Sequence, residues 1–188
     1  FMQEACAATP SGMIAIVGAT PDQLQALCAA TGCTVANVNS AAQQVLSGSK
    51  DAIAAAAVKA KELGIKRAIP LATAGAFHSP FMAPAREKLA PVLDGITFHA
   101  PKFPVLSNVT GQPHASDPGA IKALMLEQVT GTTNWAADVA AAKALGCDTF
   151  VEFGPGKVLS GLVKKIDAAL KTANVADLAS LDATLEVL

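Results

Sequence analysis

Between residues 13 and 71 the chain reads strand, helix, strand, strand, helix, strand, and that order leaves few ways to fold. Met13 to Val17 is a short apolar run after Pro10-Ser11-Gly12, the pattern of a buried strand. Thr20-Pro21-Asp22 then supplies a cap, a proline at the first helical position and an acid in the first turn. Leu24, Leu27 and Cys28 follow at helical spacing, and Gly32 stops the helix. Residues 34–39 alternate around Val35 and Val38, and residues 43–47 read as their hairpin partner, closed by Gly48. An alanine-rich helix over 50–63 ends at Gly64, and residues 65–71 supply the fourth strand. The order predicts a ferredoxin-like subdomain over 13–71, an architecture that hosts many activities and by itself names none.

The remainder has a different rhythm. A helix is predicted over 81–93, with Phe81, Ala85, Leu89 and Val92 along one face. Val105 to Val109 reads as a short strand bounded by proline and Gly111. Ser116-Asp117-Pro118 opens a helix to about residue 129, and residues 135–145 form the next, stopped at Gly146. Residues 149–153 read as a buried strand, residues 158–170 as a helix, and residues 172–188 as a looser tail. This alternation implies a parallel or mixed sheet covered by helices, with ligands beyond the carboxyl ends of its strands.

Composition narrows the function classes. With 52% hydrophobic and 15% charged residues, the 188-residue chain is expected to be ordered and to bury a sizeable core. A net charge of -1 gives no electrostatic case for nucleic-acid binding. No apolar run reaches the length that crosses a bilayer, so no membrane partner is expected. The four cysteines show no paired C-x-x-C spacing and the three histidines sit apart from them, so no metal site is expected. Reduced thiols fit a cytoplasmic location, with an organelle open as the alternative if a targeting segment was removed. The start, Phe1-Met2-Gln3-Glu4-Ala5, reads as the middle of a helix, so an amino-terminal portion is expected to be absent.

The stretch Ala72-Thr73-Ala74-Gly75-Ala76-Phe77-His78-Ser79-Pro80-Phe81-Met82 carries the first chemical candidate. Its small residues let the backbone lie close to a neighbour, and Pro80 suits the first turn of a helix. His78 has two readings: a cap for that helix, or a proton carrier, the task for which imidazole is best suited near neutrality. A base needs a nucleophile, and no G-x-S-x-G elbow occurs in the sequence. Ser79 is adjacent, but neighbouring side chains at such a junction point differently. Gly154-Pro155-Gly156-Lys157 lacks the spacing of a phosphate loop and reads as a tight turn. Lys59, Lys61, Lys66 and Arg67 form either a solvated face or a surface for a phosphorylated ligand or acidic partner.

Gly75-Ala76-Phe77-His78-Ser79, Val105-Leu106-Ser107-Asn108-Val109, Glu127-Gln128-Val129-Thr130 and Glu152-Phe153-Gly154-Pro155-Gly156-Lys157-Val158-Leu159 occur in the order found in malonyl-CoA:acyl-carrier-protein transacylases. Asn37-Val38-Asn39-Ser40, Gln43 and Ser47-Gly48 resemble the same family's small-subdomain pattern. Together these stretches cover the chain from Phe1 to about Ile166. The resemblance implies an α/β fold: a partial α/β-hydrolase-like acyltransferase core, residues 1–12 and 72–188, interrupted by the ferredoxin-like α+β subdomain at 13–71.

It also implies ping-pong transfer of a malonyl group from malonyl-CoA to the phosphopantetheine thiol of acyl carrier protein, in fatty-acid biosynthesis, with no tightly bound cofactor. By resemblance His78 is the base, and the main-chain carbonyl of Gln128 accepts the imidazole N–H. The serine-bearing elbow and the carboxylate-binding arginine are expected upstream of Phe1, so the chain alone is expected to be inactive. Met2, Asn39, Gln43, Arg67 and Val158 match positions lining the family's coenzyme and carrier channel. Core packing competes with that role for Met2 and Val158, and hairpin hydrogen bonding for Asn39 and Gln43. Two departures stand out. Gly131-Thr132-Thr133-Asn134 replaces a proline-containing segment before Trp135, and Ala41-Ala42 replaces a proline-glycine turn. The alternative from another class is a noncatalytic carrier-protein docking module.

Overall fold

A computed structural model describes residues 1–186. Helix α1 (Met2–Ala8) leads into β1 (Ser11–Val17), α2 (Pro21–Thr31), β2 (Thr34–Ser40), β3 (Gln43–Ser49), α3 (Lys50–Glu62) and β4 (Arg67–Leu71). The four strands form one antiparallel sheet in the order β2-β3-β1-β4, a ferredoxin-like arrangement. Local chemistry sets the helix ends. Thr20 and Gln23 close a reciprocal capping box, each side chain accepting from the other's backbone N–H, and Gly32 turns left-handed at φ 73° to end α2. Ser49 caps α3 by accepting from Ala52 N–H. Pro70, which has no N–H to give a ladder, sits on the edge strand β4.

Alternation along β1 gives this sheet two apolar faces. Ile14 and Ile16 point to one side, where Leu27, Leu46, Ile53 and Ala56 complete the core under α2 and α3. Met13 and Ala15 point to the other, beside Ala36 and Val45, and Phe77 packs on them. Phe77 immediately precedes His78, so the second face positions the histidine loop.

A turn of 3-10 helix (Pro80–Met82) opens the second half. It continues through α4 (Ala83–Asp94), β5 (Leu106–Ser107), β6 (Gln112–Pro113), α5 (Pro118–Thr130), α6 (Trp135–Ala144), β7 (Thr149–Phe153), α7 (Val158–Ile166), β8 (Lys171–Val175) and α8 (Leu178–Leu185). Helices α1 and α5 pack against α4, and Ala5, Cys6, Met82 and Ala85 are buried there. Strands β7 and β8 pair in parallel, joined through α7, whose Val163 meets Val139 of α6 and Leu170. Among the described residues no helix is long and apolar enough to cross a membrane.

Several sequence readings need correction. Gly48 does not close the hairpin but lies within β3, paired with Gly12. Only Leu106 and Ser107 of the Val105–Val109 run form a strand. The chain then turns because Ser107 C=O accepts from both Thr110 and Gly111 N–H, with Gly111 at φ 65°. Phe81 lies in the 3-10 turn rather than in α4, and the buried α4 positions are Ala85 and Leu93, whereas Val92 is exposed. Strand β7 is half-buried, with Phe153 exposed. Helix α7 stops at Ile166. The tail is also ordered: residues 171–175 add a strand beside β7, and a capping box between Asp177 and Ser180 starts α8. Val187 and Leu188 lie outside the described residues.

Candidate functional site

The histidine loop follows β4 and is pinned to the sheet from beneath. Ser11 Oγ accepts from Ala76 N–H at 3.1 Å, and Ser47 Oγ donates to Phe77 C=O at 2.6 Å. Gly75 lies so close to α1 that a Cβ there would stand 2.5 Å from Cys6 Sγ, which gives the small residues of this stretch their reason. Ser79, 1% exposed, donates to Ala76 C=O and accepts from Phe81 N–H. Ser79 therefore caps the 3-10 turn, and the capping reading of His78 falls away. His78 sits at φ 54°, the one positive φ outside glycine among the described residues. This left-handed backbone costs a non-glycine residue about 1–2 kcal/mol, and such strain gathers at functional positions.

The strained backbone aims the imidazole at the end of α5. Nδ1 lies 3.1 Å from Gln128 C=O. That carbonyl is in the last turn of the helix, where carbonyls have no intrahelical partner to fill them. The Gln128 side-chain Nε2 lies 3.2 Å from the same Nδ1 and donates to Thr133 Oγ1 at 3.0 Å. Thr133 Oγ1 in turn is 3.4 Å from His78 Nε2. Thr133 is fixed by its own main chain, which donates to Ala36 C=O and accepts from Val38 N–H, both at 2.8 Å. Thr132 Oγ1 adds a bond to Val35 C=O at 2.7 Å. The segment that departs from the family pattern thus runs as an extra rung along β2, and Thr133 is a site residue that sequence reasoning missed. Its only signal was that departure.

A second feature lies at the far end of the sheet. Arg67, Gln43, Lys165, Val17 and the Ser40–Ala42 turn line an open cleft of about 470 Å³. Lys165 Nζ is 3.5 Å from Gln43 Oε1. The cleft therefore gathers two cations and an amide, a set suited to phosphate oxygens. Lys165 was not singled out from sequence. Met2 (50% exposed), Val158 (70% exposed) and the half-buried Asn39 line no part of this cleft. Of the remaining lysines in the basic run, Lys59 pairs with Glu62 on the surface, and the Lys66 stem packs on Gly18.

The Gly154–Lys157 turn holds no free anion site. Glu152 already fills the start of α7, accepting from Leu159 N–H, Ser160 N–H and Ser160 Oγ–H. The Ser160 backbone bond, with the serine hydroxyl and neighbouring N–H groups, holds its pKa below the ordinary carboxylate value. Asp138 is the opposite case. It is 4% exposed, neither carboxylate oxygen has a hydrogen-bond partner, and it faces a cavity of about 170 Å³ beside Asn108, Trp135 and Phe150. Burial pushes its pKa up to about 6. No group of three or more His, Cys, Asp or Glu side chains able to hold a metal ion occurs among the described residues.

The described residues form an α/β fold. No protein-family model matches the chain. A malonyl CoA-acyl carrier protein transacylase of Bacillus subtilis (strain 168) is 38% identical over 193 residues, covering 100% of this chain and 61% of the relative. The crystal structure of a malonyl CoA-acyl carrier protein transacylase from Clostridium perfringens superposes with a TM-score of 0.92 at 38% identity, covering 99% of this chain and 60% of that one. A malonyl-transacylase solved in complex with its type II polyketide acyl-carrier protein superposes with a TM-score of 0.92 at 36% identity, covering 100% and 62%. Over its whole length the chain is homologous to the malonyl CoA-acyl carrier protein transacylases, and it spans about three fifths of their length.

The Asp138 carboxyl yields a pH prediction. Its folded pKa, about 6, lies above the ordinary 3.8, so the folded state holds the proton more tightly. The stability it contributes is present below the ordinary value and is lost as pH rises to about 6. Asp138→Asn should therefore raise the melting temperature by a few degrees near pH 7.5 and change it little near pH 3.5. An equal effect at both pH values, followed by thermal unfolding, would contradict this origin.

Proposed function

We propose that this chain carries the base half of a malonyl-transfer site, acting on malonyl-CoA and the phosphopantetheine thiol of acyl carrier protein in fatty-acid synthesis in the cytoplasm. The observation that carries the reading is the contact between His78 Nδ1 and Gln128 C=O at 3.1 Å. With Nδ1–H donating to that carbonyl, Nε2 is left bare and can take a proton. A carboxylate third member is not required, because a helix-end carbonyl both orients the ring and lies at the negative end of the helix dipole, where a cationic ring is favoured.

In the proposed reaction His78 Nε2 removes the proton of a serine hydroxyl as its oxygen attacks the malonyl thioester carbon. The C–S bond breaks, and the proton passes from Nε2 to the departing coenzyme A sulfur. The carrier's thiol then gives its proton to Nε2 and attacks the acyl-serine, and the serine oxygen leaves with that proton. The serine and the arginine gripping the malonyl carboxylate are assigned to a part of the protein outside this sequence. Residues 13–71 act as the small subdomain, with Arg67 and Gln43 meeting phosphate oxygens and Met2, Asn39 and Val158 along the channel. The chemistry calls for no tightly bound cofactor and no metal.

The test joins this chain to a serine-bearing portion and follows malonyl transfer to holo acyl carrier protein. His78→Ala should lower kcat by about 10²–10⁴-fold; near-normal turnover would remove His78 from the mechanism. Arg67→Ala should raise KM for malonyl-CoA roughly tenfold, the worth of one charge-assisted hydrogen bond, with a smaller change in kcat. An unchanged KM would sink the phosphate contact. If the joined protein binds carrier protein but never forms an acyl-serine, the docking-module reading replaces the enzyme.

A further inference from the structure

Helix α6 buries a carboxylate that nothing around it answers. Asp138 is 4% exposed, and neither of its oxygens has a hydrogen-bond partner. The ion pairs among the described residues leave it out; Lys143, on the same helix, pairs instead with Asp167. A buried carboxylate without a partner costs the fold stability. The side chain faces a cavity of about 170 Å³ whose walls include Trp135, Phe150, Asn108, Leu106 and Ala142. Trp135 stands three residues before Asp138 on the same face of α6, and its buried Nε1–H also lacks a partner. Asn134 fixes the rim of the cavity. Its N–H donates to Asn108 C=O at 2.7 Å and its side chain to Val109 C=O at 2.6 Å, which ties the loop after β5 to the start of α6.

We propose that this cavity is a binding site for a guanidinium group, which Asp138 holds through both carboxylate oxygens. Chemistry excludes the other classes of ligand. An anion is repelled, and an apolar group leaves the carboxylate bare. A metal ion needs more than one carboxylate, and no group of three or more His, Cys, Asp or Glu side chains able to hold one occurs among the described residues. An ammonium is a strongly hydrated point charge and gives up more on entering a cavity walled by aromatic rings. A guanidinium is flat and weakly hydrated, presents two parallel N–H groups to two free oxygens, and is favoured beside rings such as those of Trp135 and Phe150.

Size and polarity agree. A water takes about 30 Å³ of the liquid, so the cavity has room for a guanidinium head and a water beside it. That water accepts from the Trp135 N–H, a donor that a guanidinium cannot satisfy. Burial, and no charged neighbour, raises the Asp138 pKa to about 6, so at pH 7.5 the carboxylate is ionised and its charge unanswered. The guanidinium has one of two sources: an arginine side chain of the part of the protein outside this sequence, or a free guanidine compound. The chemistry at Asp138 is the same for both.

Titration of the 188-residue chain with ethylguanidinium chloride at pH 7.5, at millimolar concentrations well below those that denature, tests this. Trp135 is the only tryptophan, so its fluorescence and its indole 15N–1H signal report on the cavity directly. Both should change and saturate. N-ethylurea, which keeps the shape and lacks the charge, should change neither. Asp138→Asn should weaken binding by about 10–100-fold, the worth of a charge-assisted pair. Ala142→Leu should fill the cavity and block binding with the carboxylate still in place. No saturation on the wild-type chain, or equal binding by folded Asp138→Asn, overturns the proposal, and the wild-type titration decides even if a variant fails to fold. The protein joined to its serine-bearing portion separates the two sources. Ethylguanidinium that still binds there marks a free ligand. An indole signal already at the guanidinium-bound position, and unmoved by added probe, marks an arginine of the added portion. A joined protein that shows neither behaviour overturns the proposal.

Discussion

The structure depends on one contact made across 50 residues of sequence, between a strained histidine and the open end of a helix. His78 takes a left-handed backbone because its neighbours leave no other path. Ala76 and Phe77 are bonded to serines of β1 and β3, Phe77 packs half-buried against the sheet, and Ser79 is committed to the next turn. The chain bends at His78 and Ser79, and His78 carries the strain. Three small hydroxyls thereby hold an imidazole that none of them touches. Gln128 supplies the other end because α5 stops at Thr130, leaving a last-turn carbonyl open.

The same contact explains why the two halves meet where they do. The ferredoxin-like sheet gives one face to its own helices and the other to Phe77. The segment after α5 then returns to lie along β2 through Thr132 and Thr133. The histidine is thus enclosed between a loop tied to β1 and β3 and a rung tied to β2. The phosphate-suited cleft with Arg67 and Lys165 lies on the same sheet, at the end where Val17 pairs with Gln43 and Arg67.

Much of this could be read from local chemistry. Thr20-Pro21, Asp117-Pro118, Gly32 and Gly64 each act on the adjacent backbone, so their effect is written beside them. The joining of His78 to Gln128 came from the order of motifs, not from any local rule. What escaped was fixed at a distance. Strand β8 has no alternating pattern and exists because β7 offers a parallel edge. Strand β5 is short because a turn at Ser107 consumes its continuation. Thr133 reads as an irregular loop residue until β2 gives it a fixed backbone, and nothing local marks Ser11, ahead of the predicted strand, or Ser47, inside one, as partners of the histidine loop.

The fold holds residue 78 in a left-handed conformation that aims its ring at Gln128. Equilibrium unfolding of His78→Gly against His78→Ala tests it most directly, since neither variant keeps the imidazole and only glycine is free of the backbone penalty. The glycine variant should be the more stable by about 1 kcal/mol. An alanine variant equal to or more stable than the glycine one would contradict it.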